Sequence, residues 1–394
     1  MSLQLFAAGL PPTEWIDPDT GHRIVRLSPE PGSESLYFNQ NAYTAEGDKM
    51  VITTPQGIAT VNLQSRKVEL VVPGTKNLSG IVVGRKTPQI YYIRPTGSNL
   101  TAFATDLDTR ATRAIGKVPE GGFLMTVNAD DTLLAGSFVE KGEPVRQRSG
   151  ESKGAWMRRR LEAHTPMALF TLNIKTGALT IFGRSTDWLN HVQFSPTDPS
   201  LLMFCHEGPW DQVDRIWIIR TDGTGLKAIQ PRTMEREIAG HEFFSADGQW
   251  IWYDLQTPRG GDFWLAGYEI ATGKRLRYHL GRDEWSVHYN ISPDGSMFAG
   301  DGGAENMVAH AKNGKWINLF RPVPSPASAE DKADSDNLKR TGTVKAEHLV
   351  NLSKHNYHLE PNVNFTPDGK WVVFRSNMFG PTYVFAVEVA KASP

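Results

Sequence analysis

Cysteine is nearly absent: the 394-residue chain has one, Cys205. No intrachain disulfide can form, and a cysteine-built zinc site is excluded. Long apolar runs are missing as well. A membrane-spanning helix needs about 20 such residues, so no span is expected. Neither sign of charge dominates, with 42 Lys and Arg against 43 Asp and Glu. That balance argues against a protein whose whole surface grips nucleic acid, and no nucleic-acid partner is expected. Sustained helical periodicity is scarce. There is no glycine-rich nucleotide loop, no nucleophile elbow and no His-Glu-x-x-His zinc pair. The first twelve residues hold a short apolar stretch without a basic lead, which is not a complete signal peptide. The expected location is cytoplasmic, or periplasmic if a signal peptide was once removed. Nothing in the sequence fixes an oligomeric state.

What the chain has in quantity is glycine (36), proline (25) and tryptophan (11). Short apolar strands dominate, such as residues 49–52, 89–93, 250–253 and 370–374. Each follows a turn containing Gly or Asp. The turns repeat a pattern, an apolar residue followed by Ser/Thr, Pro/Ala, Asp and Gly. It is plainest at 244–248, 291–295 and 365–369, looser at 43–47 and 194–198, and weakest at 127–131 and 81–85. The seven anchoring residues are then 43, 81, 127, 194, 244, 291 and 365. Most gaps are roughly 40–50 residues, the length of one four-stranded propeller blade. The two longer gaps contain insertions, an Arg-rich one at 141–165 and a Pro/Ser/Ala/Asp-rich one at 322–343, read as a mobile loop outside the ring. The expectation is an all-β, seven-bladed β-propeller filling residues 1–394 as one domain. The strand at 23–27 should join the C-terminal blade and close the ring. Two packed β-sandwiches are the rival, but sandwiches need no fixed repeat of this length.

Equivalent residues of successive blades lie at one height around a propeller's channel. Three positions before each anchor stand Gln40, Leu78, Leu124, His191, His241, His288 and Asn362. Three histidines in consecutive blades, flanked by Asn362 and Gln40, form a polar arc. Glu360 shares the strand face of Asn362 by two-residue alternation. Imidazole can ligate a metal or act as a base near neutral pH. A carboxylate and an amide oxygen beside His288 suit a divalent cation of intermediate hardness such as Mn²⁺, with Ca²⁺ or Mg²⁺ as alternatives. His206, Glu207, Arg215, Arg236 and Glu242 fall near the blade tops. Arginine pairs bidentately with carboxylates, so a uronate substrate fits. Trp188 and Trp285, each six before its anchor, could stack on sugar rings or serve the core.

Residues 204–217, Phe-Cys-His-Glu-Gly-Pro-Trp-Asp-Gln-Val-Asp-Arg-Ile-Trp, resemble oligogalacturonate lyases. So do Gly240-His241-Glu242-Phe243-Phe244, His288 with the 292–296 turn, and Gly300-Asp301-Gly302. Residues 188–191 and 37–40 match more loosely. The resemblance spans nearly the whole chain, including the basic insertion around Trp156. It implies a TolB-like propeller whose relatives cleave digalacturonates by β-elimination with Mn²⁺. By this resemblance His241 stands where the family's proton-abstracting base stands, Arg215 where its uronate-neutralising arginine stands, and His288 at one metal ligand. The last blade departs from the pattern. Where the family has His-Pro-His, this chain has Glu360-Pro361-Asn362, and the family's glutamine ligand falls at Tyr357, with His358 adjacent.

The expected site therefore has His241 and Arg215 as catalytic groups. His191, His206, Arg236, Gln40, Trp188 and Trp285 are placed against a uronate oligosaccharide, and His288, Glu360, Asn362 and His358 around the metal. Binding the C6 carboxylate to a cation or arginine stabilises an enolate-like transition state while a histidine takes the C5 proton. A non-catalytic TolB-like propeller binding a glycan or protein is the alternative, and a hydrolase or epimerase using the same arc is a third reading.

Overall fold

The computed structural model describes residues 10–74, 78–303, 307, 309–325 and 339–392. Nearly every described element is a strand, because the sequence alternates short β-branched and aromatic runs with tight turns. The recurring turn has a specific cause. Ser245 Oγ donates to Asp247 Oδ1 and accepts from the amide of Trp250, so one hydroxyl closes the loop from both sides. Ser292 and Thr366 repeat the arrangement with Asp294 and Asp368. The glycine that follows adopts φ of +68°, +73° and +68° in the three copies, where a Cβ would be strained.

The described strands form seven antiparallel blades around a channel. Their innermost strands are Glu34–Ser35, Ser79–Val83, Phe123–Val127, Trp188–Phe194, Ile238–Phe244, Val287–Ile291 and Asn364–Phe365. Blades five and six are hydrogen-bonded into one eight-stranded sheet, because the outer strand Arg275–Leu280 pairs in parallel with Lys339–Asn351. Sequence pattern gave no sign of that link. The ring closes as expected: His22–Arg26 pairs with Tyr383–Lys391, supplying the seventh blade's outer edge from the N-terminus. Aromatic and aliphatic side chains fill the spaces between adjacent blades.

Two expectations change. In blade two the anchor is Val83 rather than Ile81, since Val83 pairs with Ile90 as Phe244 pairs with Ile251. The degenerate turn there hid a two-residue slip. The 141–165 insertion contains a helix, Lys153–Glu162, capped by the Ser152 side chain on the amide of Ala155. In the second insertion, residues 322–324 and 339–343 belong to a hairpin between Trp316–Pro324 and Lys339–Asn351, and residues 326–338 lie outside the described residues.

Ring closure rests on Ile24, which is buried against Phe385, Val387 and Val372. Ile24→Ala is expected to cost about 2–5 kcal/mol, measured by urea unfolding. A loss within experimental error would show that the closing strand carries no stability.

Candidate active site

Each innermost strand of blades four to six breaks its register at one place. The ladder skips between Asn190 and Gln193, Gly240 and Phe243, and Val287 and Asn290. The residue at each bulge is the arc histidine, and its backbone is left-handed: φ is +47° at His191, +50° at His241 and +48° at His288. Asn362 in blade seven has φ of +53°. Such conformations are uncommon outside glycine, and Asn and His tolerate them better than most residues. The corresponding residue of blade two is Gly80, with φ of +58°. The bulge lifts each side chain out of the strand's alternation and brings the arc together, with the His241 and His288 rings 4.7 Å apart.

The second strand of each blade supplies a partner. His241 Nδ1 lies 2.6 Å from Asp254 Oδ1, and His288 Nδ1 lies 3.0 Å from Asp301 Oδ2. A carboxylate only accepts, so Nδ1 carries the hydrogen in both rings and Nε2 keeps its lone pair. Blade four differs, with Cys205 at the equivalent place. There His191 donates to Glu207 Oε2 through Nε2, at 3.2 Å, so in this ring the hydrogen is on Nε2 instead of Nδ1. Asp254 escaped the sequence reading and Asp301 entered it only within the Gly-Asp-Gly motif, with no role, although each stands ten residues after its blade's anchor.

Arg215 is buried and spent on two carboxylates. Nη1 donates to Glu207 Oε1 at 2.8 Å and Nε to Glu242 Oε2 at 2.9 Å. Burial pushes the Glu207 carboxyl up, but Arg215 and His191 outweigh it and hold it well below the usual range. Two acids to one guanidinium leave this wall with a negative balance. Trp210 packs its edge on His241 and donates to Glu207. Tyr37 and Phe38 enter from blade one: Tyr37 stacks on His191 at 5.7 Å, and Phe38 lies against both His241 and His288.

A cavity of about 850 Å³ occupies the channel, lined at this end by Tyr37, Trp188, His191, Arg215, His241 and Glu360. Gln40 also lines this cavity, while the remaining expected residues lie elsewhere. Gln40 spends its amide oxygen on the Tyr37 amide and holds that turn. His206 points away, stacked on Trp217 and paired with Asp187, because strand alternation sends it opposite Glu207. Arg236 is exposed and Trp285 is a core residue packed on Phe263. Trp188 does face the cavity, edge-on to Trp156 of the inserted helix, with Arg160 stacked on it at 3.6 Å.

Known proteins match this chain from end to end. The family model described as oligogalacturonate lyase covers residues 12–393. The chain belongs to that family. It is 23% identical over 397 residues to an oligogalacturonate lyase of Dickeya dadantii, covering 95% of each chain. An oligogalacturonate lyase structure from Vibrio parahaemolyticus shares the fold at 22% identity, TM-score 0.79 and 96% of each chain. So does an oligogalacturonate lyase in complex with manganese, at 22% identity, TM-score 0.76 and the same coverage.

The family's metal chemistry can be tested against the donors present in this lyase-family chain. His288 Nε2 is buried without a hydrogen-bond partner, and Glu360 Oε2 stands 3.6 Å away. An orphaned imidazole nitrogen whose opposite nitrogen is fixed by an aspartate, with a carboxylate beside it, fits a divalent cation. The rest of the expected set does not assemble. His358 is exposed, and its ring makes no hydrogen bond or ion pair among the described residues. Asn362 is buried, but with its amide oxygen turned to Arg375 it accepts from Nη2 at 2.7 Å. Arg375 stands where the sixth blade has Asp301, so the seventh blade offers a cation instead of an acid. A second grouping, His191, Cys205 and Glu207, brings its ligand atoms within 4.8 Å. Burial raises the Cys205 thiol well above its ordinary value, and Arg215 already holds Glu207, so this cluster is a poor cation site.

Removing Arg215 strands two buried carboxylates. Arg215→Ala is expected to cost about 3–5 kcal/mol in urea unfolding near neutral pH. The lowered Glu207 carboxyl contributes stability above the ordinary carboxylate range, and that contribution is lost as pH falls through its folded value. The deficit of the variant should therefore shrink in acid. An unchanged midpoint near neutral pH would remove this ion cluster from the fold's stabilising set.

Proposed function

We propose that this chain cleaves oligogalacturonate by β-elimination, with His241 as the base. The observation that carries the reading is the buried Asp254–His241 pair, which fixes the hydrogen on Nδ1 of a ring that lines the cavity in a member of this family. In the proposed reaction His241 takes the C5 proton of a uronate. The C5–H electron pair becomes the C4–C5 double bond as the C4–O bond breaks, and solvent supplies the proton that the departing oxygen needs. Asp254 holds the tautomer and balances the imidazolium that forms. Arg215 faces the uronate carboxylate while the Glu207 and Glu242 carboxylates fix its plane. A divalent cation held by His288 and Glu360, Mn²⁺ by analogy with the manganese-bound relative, would neutralise the carboxylate and stabilise the enolate-like transition state. The remaining ligands would come from water and substrate oxygen. Trp188, with Arg160 stacked on it, stands at the cavity wall against a sugar ring.

The product's double bond is conjugated with its carboxylate, so turnover on digalacturonate appears as rising ultraviolet absorbance. A binding-only TolB-like propeller, a hydrolase or an epimerase gives no such signal. His241→Ala should fold normally and lower kcat by about 10²-fold or more, with Asp254→Asn lowering it in the same direction. Wild-type turnover in His241→Ala would remove the base assignment. For the metal, calorimetric titration with Mn²⁺ is expected to show one site that His288→Ala abolishes and Glu360→Gln weakens by about tenfold or more. Equal Mn²⁺ binding by all three proteins would move the ion elsewhere.

A further inference from the structure

The far end of the channel has its own chemistry. Two residues beyond each anchor lies the turn between the first and second strands, and in blades two, four, five, six and seven its residue lines the channel cavity. In six blades that residue is small or apolar: Ala45, Ala129, Pro196, Ala246, Pro293 and Pro367. In blade two it is Arg85, which lines the same cavity as His191 and His241. Strand rise puts it about 16 Å of strand, five residues, from the level of the arc.

The Arg85 guanidinium makes no hydrogen bond and no ion pair among the described residues, and its Nε is buried without a partner. The carboxylate whose charge acts on it, Asp131, is occupied by the amides of Arg85, Lys86 and Thr87 and by the Thr87 hydroxyl. Arginine does not shed its charge in proteins, and holding a donor such as Nε away from water without a partner is costly. Folded chains rarely keep such a group unless something else completes it. The cavity above gives a solute direct access, and the planar fork of donors matches two oxygens of one group.

We infer that Arg85 forms an anion site at the floor of the channel, taking a carboxylate or an inorganic oxyanion. The site is separate from the elimination chemistry, so its test does not depend on turnover. Wild-type protein, Arg85→Met and Arg85→Gln are titrated calorimetrically at fixed ionic strength with inorganic phosphate and, separately, with galacturonate. Both substitutions remove an unpaired charge, so both variants should fold, with a melting temperature at or above that of wild type in anion-free buffer. The expected result is an anion-binding event in wild type that weakens at least tenfold in both variants. Arg85 dependence with phosphate assigns the site to free oxyanions. Arg85 dependence with galacturonate alone assigns it to sugar carboxylates, seen as loss of one of two binding events while the one at the histidine arc persists. Identical isotherms for all three proteins, or no binding of either anion in wild type, would overturn the site.

Discussion

A backbone constraint organises the active end of this propeller: one left-handed residue in, or in blade seven just before, the innermost strand of each of four consecutive blades. The inner strands carry alternating side chains, and simple alternation would send half of them into the blade-to-blade packing. The bulge inserts a residue whose side chain belongs to neither face. It is costly for most residues, and the occupants are types that bear it, three histidines and an asparagine. Blade two, whose residue carries no chemistry, uses Gly80 instead. Geometry and residue choice thus express one requirement. The strain sits where side chains must converge on the channel, as expected for strain retained by surrounding structure.

From that frame the same ring acquires different chemistry in each blade according to the residue across the ladder. An aspartate gives His241 and His288 a fixed Nδ1–H and a bare Nε2. They diverge by what faces Nε2: cavity for His241, Glu360 for His288. Burial opposes charge on His288, yet Asp301 and Glu360 together raise its proton affinity above the ordinary value. That site attracts a cation, proton or metal. His191, tied to Glu207 through Nε2, is a donor and a stacking partner for Tyr37 instead. Its position in the arc does not make it an equivalent base.

The blade count, ring closure and arc were legible because each depends on a repeat that recurs at fixed spacing. The Ser/Thr-x-Asp-Gly turn announces itself through a hydroxyl, a carboxylate and a glycine that each perform a defined task. Where those residues are lost, at 81–85, the register slipped by two and concealed Gly80. Asp254 and Asp301 were legible in principle at a constant offset from the anchors, but a single acidic residue in a strand carries no signal until its neighbour across the ladder is known. Trp285 and His206 were misplaced for a related reason. Repeat position fixes height around the channel, whereas a side chain's facing depends on turns and bulges that only the folded backbone reveals. The inserted helix was invisible as a helix because the 141–165 stretch reads mainly as an Arg-rich run.

The two halves of the site differ in what holds them. His191, His241, Arg215 and their carboxylates belong to blades four and five, each completed by its own consecutive strands. Glu360 and Asn362 precede the inner strand of blade seven, whose outer edge comes from the N-terminus. Arg375 connects them to the closure. It donates to the Glu360 carbonyl at 2.8 Å and pairs with Glu34 of blade one at 2.6 Å, across the seam where the ring is joined. A residue that replaces an acid in the ladder thereby fixes the strand carrying Glu360 to the first blade. Opening of the closing strand, the part of a propeller whose partner is most distant in sequence, would loosen the Glu360 wall before it disturbs the Asp254–His241 pair. The side of the site suited to a cation is therefore the side whose geometry depends on closing the ring.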